Sequence, residues 1–364
     1  MEIVPIVSAL RRNKVGAILI ALQIALTLAI VCNTLAVIRQ HWVQMQRPSG
    51  IDEPNLFILQ NQWLGDPQDL EARVQADLVA LRSLPGVVDV QAMSGIPLHG
   101  AGGAMVSASS HPDPQLTDTW NMAGYWVDEH GLAALGVKLI AGRWFRADEI
   151  GVRHATDLDS PAVIILTSSM AQFLFPHGDA MGQVVYLGNT SPTRVIGIVE
   201  RVQTPWATLL HMDSFVEHSA FLPSVYVNNG LWYMVRTRPG LQASVMKSAP
   251  NKLYELTQSR IIDSVSPFLE TRRHTYARAR SSSIMLGALS ALLLTVTAFG
   301  VVGLTSYWVA QRRRQIGMRR ALGATRVDIL RYFHTENLLV SGQGRSWVSG
   351  CVWWATCGWR SDWR

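Results

Sequence analysis

Few side chains in this 364-residue sequence could carry out chemistry, and their spacing fits no familiar catalytic or metal-binding pattern. His211, Asp213 and His218 could be imagined as metal ligands, but their spacing matches no usual site, so we expect surface histidines in a loop. His99 and His111 flank a stretch rich in Gly, Ala and Ser, which predicts a flexible loop and not a catalytic base. G-x-S-x-G, H-E-x-x-H and C-x-x-C do not occur in the sequence. We therefore expect no catalytic residues, no metal site and no enzymatic activity.

Nucleotide chemistry is also missing, because no G-x-x-x-x-G-K-[ST] phosphate loop occurs in the sequence. If the protein works with ATP, we expect a separate protein to bind and hydrolyse it, and we expect no cofactor in this chain. The net charge of +6 does not indicate a nucleic-acid partner. Residues 39–280 carry 19 Lys and Arg against 22 Asp and Glu, so the positive excess lies elsewhere.

A dense group of arginines directly follows the uncharged, apolar run at residues 283–309. About 20 apolar residues suffice to cross a bilayer, and basic residues beside a span stay in the cytoplasm. Asp328 is the one acidic residue among these arginines. The group consists of Arg312, Arg313, Arg314, Arg319, Arg320, Arg326 and Arg331.

Local signals within the basic segment predict a helix, a hinge and a second, amphipathic helix. Gly323 can end the first helix in a left-handed conformation. Thr325 can cap the second, with Asp328 three residues later near its positive end and Leu330 on its apolar face. Composition alone leaves two interpretations open: an anchor that fixes topology, or a surface on which a cytoplasmic partner pushes.

This segment resembles the one that follows a membrane helix in ABC transporter permeases of the MacB/FtsX family. Their usual pattern is REIG-x-RRALGA; here Arg314 to Gly317 fills the first part, with Gln315 in place of glutamate, and Arg319 to Ala324 fills the second. The resemblance implies a coupling helix that docks on an ATPase subunit. The implied docking residues are Arg319, Arg320, Gly323, Ala324, Thr325, Asp328 and Leu330.

A second apolar run, residues 15–38, is long enough to span the membrane near the N-terminus. A signal peptide is the alternative, but its apolar core would be shorter and no convincing cleavage site follows. The polar residues Gln23, Thr27, Asn33 and Thr34 either mark a face that packs on other helices or are simply tolerated. Basic residues before the run place the N-terminus inside, so we expect a multi-pass inner-membrane protein with its large loop outside.

The loop between the spans is long enough to form its own core, and it contains no cysteine. Its strand and helix patterns mix without βαβ regularity, which favours an α+β domain. We expect two lobes, one built from the ends of the loop and one inserted in its middle. The predicted organisation is a cytoplasmic segment 1–14, a span 15–38, an extracytoplasmic domain 39–280, a span 283–309, a basic coupling segment 310–342 and a tail 343–364.

The loop also resembles the periplasmic core domain of the MacB/FtsX family. Individually weak phrases occur in the family's order, including Tyr125-Trp-Val, Leu135-Gly136 and Ala141-Gly142-Arg143. With the spans, the resemblance covers roughly residues 1–342. Trp120, Trp126 and Trp144 are expected in the core or at a contact between lobes.

The tail after Gly342 does not read as the family's next membrane helix, and it holds five of the chain's 13 tryptophans. A frameshift or truncation near Gly342 is one hypothesis, and a real interfacial tail rich in Trp and Arg is the other.

Together, these features predict the permease subunit of an ABC transporter, an efflux or mechanotransmission system. Its expected partners are a cognate ATPase, a second permease in a homo- or heterodimer, and membrane lipid. The alternative is a membrane-anchored extracytoplasmic sensor or binding protein. A sensor should continue into a cytoplasmic signalling module, for which the residues after the basic segment are too few.

Overall fold

The computed structural model describes residues 14–65, 69–100, 102–112, 120–154, 157, 159–188, 191–207 and 215–311. It divides into a pair of long helices and a domain formed by residues 47–277. The helices are α1 (Lys14–Gln46), α2 (Leu70–Arg82), α3 (Gly131–Leu135), α4 (Ser168–Leu174), α5 (Gln242–Leu256), α6 (Phe268–Thr275) and α7 (Ala277–Gln311). The strands are β1 (Leu56–Trp63), β2 (Val87–Met93), β3 (Ala104–Ser109), β4 (Trp120–Val127), β5 (Leu139–Gly142), β6 (Gly151–His154), β7 (Val163–Thr167), β8 (Val184–Leu187), β9 (Ser191–Val199), β10 (Ser219–Val227), β11 (Gly230–Thr237) and β12 (Arg260–Pro267).

The two long helices, α1 with 33 residues and α7 with 35, both pass the length and composition test for membrane spans. At 1.5 Å per residue each is about 50 Å long, which exceeds the ~30 Å hydrocarbon layer. Large apolar side chains such as Leu22, Leu292 and Phe299 are exposed along them. Apolar side chains exposed in this number favour a hydrocarbon environment over water.

Polar contacts join the two long helices to each other. The Thr27 and Thr297 hydroxyls are 2.7 Å apart, and the Gln23 side chain lies where a Cβ on Gly300 would come within 2.6 Å. These contacts agree with the helix-packing interpretation for Gln23 and Thr27. Thr34 is also buried, with its hydroxyl donating to the carbonyl of Ile30 in its own helix, whereas Asn33 is exposed.

The first lobe of the domain is a four-stranded antiparallel sheet in the order β12-β1-β11-β2. Helices α2 and α5 pack on one face, where Phe57, Leu59 and Trp63 of β1 meet Leu78 and Leu253 of the helices. Because side chains alternate along a strand, Leu56 and Ile58 point to the opposite face. Helices α3 and α6 also contact this sheet.

The second lobe is a barrel, because its six strands in the order β4-β3-β8-β9-β7-β10 close where β10 pairs with β4. Three pairings, β7–β9, β4–β10 and β6–β10, are parallel, and the remaining pairings are antiparallel. Strand β6 extends the sheet beyond β10, and β5 adds to β9. The predicted α+β class is confirmed, and the two sheets follow the predicted division into an outer and an inserted part of the loop.

One strand, β10, belongs to both lobes. Ala220 and Leu222 in its first half lie in the core of the barrel, whereas Val225 and Val227 lie in the core of the first lobe. Its pairing partner changes at Pro223, from β4 up to that residue to β6 from Ser224 onward. A strand that is continuous across both cores resists bending between the lobes.

His218 and Asp128 lie in surroundings that differ from those predicted by the sequence. His218 is 5% exposed, so it is not a surface histidine; its position at the entry to β10 places it under Phe173 and Phe215. The sequence pattern predicts a helix from Asp128 to Leu135, but α3 begins at Gly131, because the Asp128 carboxylate accepts the His130 backbone N–H and forms a turn there. His211 and Asp213 lie outside the described residues.

The tryptophans and glycine turns lie where the sequence suggested. Trp126 is buried in the barrel core and Trp120 packs against that core. Trp144 donates its indole N–H to the carbonyl of Asp128. Gly142 has a φ of +74°, and a Cβ there would come within 2.2 Å of the Ile196 carbonyl oxygen, so no other residue fits this turn.

Candidate functional site

The predicted ATPase-docking residues all fall outside the described part of the chain, so their arrangement stays a prediction. They are Arg319, Arg320, Gly323, Ala324, Thr325, Asp328 and Leu330. The described functional geometry lies instead at the root of the domain, where the chain enters it after α1 and leaves it before α7.

Gln203 holds the entering chain. This residue is fully buried, and its side-chain amide donates to the carbonyls of Arg47 at 3.1 Å and Pro48 at 2.9 Å. Its backbone N–H donates to the carbonyl of Ser49 at 3.0 Å. Three consecutive carbonyls at the start of the domain are therefore bound by one residue.

The same residue also holds the leaving chain and the barrel. The hydroxyl of Tyr276, the last residue before α7, donates to the Gln203 side-chain oxygen at 3.2 Å. The hydroxyl of Tyr125 on β4 donates to the Gln203 carbonyl at 2.6 Å. Burial raises the pKa of Tyr125 well above its ordinary value, so this phenol stays a proton donor.

Arg272 on α6 adds a second link between the two ends of the domain. Its guanidinium donates to the Glu53 carboxylate and to the Arg47 carbonyl, each at 2.6 Å. It also lies over the Tyr276 ring, 5.6 Å from the centroid. We call the set formed by Gln203, Arg272, Tyr276 and the backbone of residues 47–49 the root clamp.

The loop beside the root clamp is fixed in a strained conformation. Among the described residues, Leu98 is the one non-glycine residue with a positive φ, at +67°. Its N–H donates to the Thr204 carbonyl, and its carbonyl accepts the hydroxyl of Thr275 on α6. The His99 and Trp232 ring centroids are 5.5 Å apart with the rings tilted by 55°, and burial lowers the pKa of His99. The prediction of a flexible loop between His99 and His111 is therefore wrong at this end, and residues 104–109 of the same stretch form strand β3.

A polar pocket of about 350 Å³ opens beside this loop. Within the residues described, no group of three or more His, Cys, Asp or Glu side chains is arranged to hold a metal ion. The pocket is lined by His99, Ser266, Glu270, Thr271, His274 and Thr275.

A charged cluster joins the two lobes at a second place. Arg82 on α2 pairs with Asp89 on β2 and with Asp128 at the end of β4, each at 3.0 Å. The His130 Nδ1 lies 2.9 Å from Asp89. Burial raises the pKa of Asp128, and the nearby Arg82 opposes that rise. Together with β10, this cluster fixes the lobes to each other.

The root clamp consists of hydrogen bonds, together with the contact between the Arg272 guanidinium and the Tyr276 ring. It ties both ends of the domain to each other and to the barrel. No local pattern in the sequence marks Gln203, because its partners lie up to 156 residues away. Arg272 belongs to a group of arginines just outside the second span, an unusual place for positive charge, but the sequence does not show which residues it contacts.

The sequence of the domain matches a described family. The MacB-like periplasmic core domain matches residues 19–251, more than half of the chain, and the FtsX-like permease C-terminal region matches residues 287–355. The chain belongs to the MacB/FtsX family. The second match continues past Gly342, so it does not mark a break at that residue.

Curated relatives in this family include the macrolide export ATP-binding/permease protein MacB of Escherichia coli (strain K12) and that of Shigella flexneri. Each is 24% identical over 345 residues, which is 91% of this chain and 49% of the relative. The chain thus spans about half the length of the curated relatives it matches.

Two solved structures are similar to parts of the chain at low scores. The extracellular domain of the ABC-type transporter YknZ from Gram-positive bacteria has a TM-score of 0.36 at 15% identity, covering 57% of this chain and all of that one. The periplasmic region of MacB from Actinobacillus actinomycetemcomitans has a TM-score of 0.35 at 15% identity, covering 64% and 97%.

Family membership and the flanking apolar helices together give the location. This MacB/FtsX-family chain is an inner-membrane protein whose α+β domain lies outside the cytoplasm.

Proposed function

We propose that this chain is a permease subunit of an ABC transporter in which ATP hydrolysis on a separate subunit moves the extracytoplasmic domain. The root clamp is the observation that carries the proposal. It binds the entering and leaving ends of the domain to one buried glutamine, so displacement of either end is passed to the barrel.

The hydrogen bonds of the root clamp favour movement of the whole domain over breakage of the clamp itself. Each hydrogen bond contributes only about 1 kcal/mol net, but a buried polar group left without its partner costs about 1–3 kcal/mol. Pulling the Arg47 carbonyl away from Gln203 and Arg272 would leave several buried polar groups unpaired at once. Movement of the whole domain avoids that cost.

The site of energy input belongs to the basic segment. We infer from the inside-positive bias that residues 310–342 lie in the cytoplasm, and their match to the FtsX-like permease region supports a role as the surface that the ATPase contacts. This sequence contains no phosphate loop, which is why we place ATP on a partner subunit. We further propose that a second permease subunit completes the transporter.

The relatives' names assign macrolide export to those proteins. For this chain we propose the broader activity, ATP-driven movement of a domain that acts on cargo outside the inner membrane.

Charge reversal in the basic segment tests the docking. Arg319→Glu combined with Arg320→Glu should reduce co-purification with the partner ATPase by at least about tenfold, because unfavourable charges across an interface cost several kcal/mol. The matched control is Arg345→Glu combined with Arg360→Glu in the tail, which should co-purify as the unmodified chain does. Undiminished co-purification of the first variant would contradict the docking assignment.

A further inference from the structure

The outer ends of the two long helices carry a set of arginines that has no acidic counterpart on either helix. Arg39 on α1 and Arg278 and Arg280 on α7 are all exposed. The described residues of the two helices, 14–46 and 277–311, include no Asp or Glu. We call these three residues the arginine collar.

The helix contacts place the collar at one level along the pair. His41 Nδ1 lies 3.1 Å from the Ser283 hydroxyl, so these two residues share a level. Arg39 is two residues before His41, and Arg280 and Arg278 are three and five residues before Ser283. With a rise of 1.5 Å per residue in antiparallel helices, the three arginines span about 10 Å along the axis.

That level coincides with the edge of the hydrocarbon layer. Arg39 directly follows the uncharged run 15–38, and Arg280 lies just before the uncharged run 283–309. The headgroup region is only about 5–8 Å thick on each side of the bilayer, and arginine side chains can extend to reach it. Trp42, 57% exposed, lies one turn beyond Arg39, and tryptophan favours this same interface.

Two independent electrostatic costs arise if no anion neutralises the charge of the arginine collar. Positive charges outside the membrane weaken the inside-positive bias that orients the spans. Arg278 and Arg280 also lie in the first turn of α7, next to the positive end of the helix dipole, with no acidic residue in that turn. Both costs fall if an external anion neutralises the collar.

We propose that the arginine collar binds the phosphate headgroups of anionic phospholipids in the outer leaflet of the inner membrane. Guanidinium groups form paired hydrogen bonds with phosphate oxygens, and lipid phosphates are the anions present at this depth. Such binding would hold the helix pair at a fixed depth in the membrane. The proposal depends on the membrane topology and not on which subunit hydrolyses ATP.

The test compares lipid retention by native mass spectrometry of the full chain in a non-ionic detergent. Equal concentrations of dioleoyl phosphatidylglycerol and dioleoyl phosphatidylcholine are supplied. The unmodified chain should retain phosphatidylglycerol preferentially. The triple variant Arg39→Gln, Arg278→Gln and Arg280→Gln should lose this preference by about fivefold for each arginine removed.

Two further variants separate charge from general damage. Replacing the three collar arginines by lysine should retain more of the preference than the glutamine variant does but less than the unmodified chain, because lysine keeps the charge and loses the paired hydrogen bonds of the guanidinium group. Neutralising three exposed cations of the domain is the matched control and should change nothing; these are Arg194, Arg238 and Lys247.

Three results would overturn the proposal. The first is that the glutamine variant retains phosphatidylglycerol as well as the unmodified chain does. The second is that the domain control loses phosphatidylglycerol as much as the glutamine variant does. The third is that inorganic phosphate, at the same concentration as the lipid, displaces phosphatidylglycerol. Removing outer positive charge strengthens the inside-positive bias, so faulty membrane insertion of the glutamine variant is not expected.

Discussion

A buried ion pair at the residue scale ties three elements of the first lobe together. Arg260 on β12 makes a two-point contact with Asp77 on α2, at 2.8 and 2.9 Å, and both side chains are 1% exposed. The Tyr233 hydroxyl on β11 donates to the same carboxylate at 2.7 Å. Asp77 therefore has three close donor contacts, as a buried carboxylate requires.

Breaking this pair should be costly. Arg260→Met leaves Asp77 charged and buried without its partner, and we expect the free energy of unfolding to fall by about 3–5 kcal/mol. The exposed pair of Lys252 and Glu255 is the matched control, and Lys252→Met should cost less than about 1 kcal/mol. Urea unfolding of the full chain in detergent, followed by near-ultraviolet circular dichroism, measures both. Equal small losses would show that the pair is not buried as described.

A second prediction concerns acid stability. The Arg143 guanidinium hydrogen-bonds the Glu149 carboxylate and lowers its pKa from about 4.5 to about 2. A lowered folded-state pKa gives stability that is present above pH 4.5 and lost as the pH falls through about 2. The pair is partly solvated, so we expect about 1 kcal/mol.

Arg143→Gln should therefore lower the free energy of unfolding by about 1 kcal/mol at pH 7, with the difference vanishing towards pH 2. Thermal unfolding measured from pH 7 to pH 2 checks this. A difference that stayed constant with pH would mean that Arg143 acts through packing alone.

Residues of this kind could not be found in the sequence. Asp77 and Arg260 are separated by 183 positions, and Gln203 and Arg47 by 156. Nothing in the sequence next to these residues distinguishes them from other polar residues. The arginines after residue 311 were visible because their signal is local: charge next to an apolar run.

At the scale of elements, the helices and strands that could be predicted are those with a clear local pattern of apolar residues. The spacing of apolar residues predicts helices at residues 69–84 and 241–256, the first ending before Pro85 and Gly86. The structure places α2 and α5 within a residue or two of these bounds. The sequence pattern does not predict strands β10 and β12. Pro223 interrupts the pattern of β10 at the residue where its pairing partner changes. The pairing of β12 with β1 is irregular near Gln60, and the side chains of β12 do not alternate simply between buried and exposed.

The root clamp gives the prediction at this scale. Gln203→Leu keeps the side-chain volume but removes both amide donors and the acceptor for Tyr276, so we expect a loss of about 2–4 kcal/mol in domain stability. The partner ATPase should still co-purify, but ATP hydrolysis should no longer move the domain. Gln75→Leu on the exposed face of α2 is the control. A normal response of the Gln203→Leu domain to ATP would show that the clamp is not the route of transmission.

At the scale of the whole molecule, the sequence predicted the order of parts well because membrane topology depends on additive features. The two apolar runs, the arginine group and the cysteine-free loop each gave a separate sign of the same arrangement. The barrel and the strand shared between lobes were not predictable, since closure depends on the β4–β10 pairing across about a hundred residues. The proposed transmission of movement depends on both the membrane topology and the fold of the domain.

Hydrogen exchange of the complex with the ATPase, with and without ATP, examines that coupling directly. Mechanical transmission predicts that ATP changes the exchange rate of backbone amides at residues 49–53 and 268–276 in the unmodified chain. The same change should be absent when Arg319→Glu and Arg320→Glu are introduced. Identical exchange at these residues with and without ATP, while the ATPase hydrolyses it, would contradict the proposed coupling.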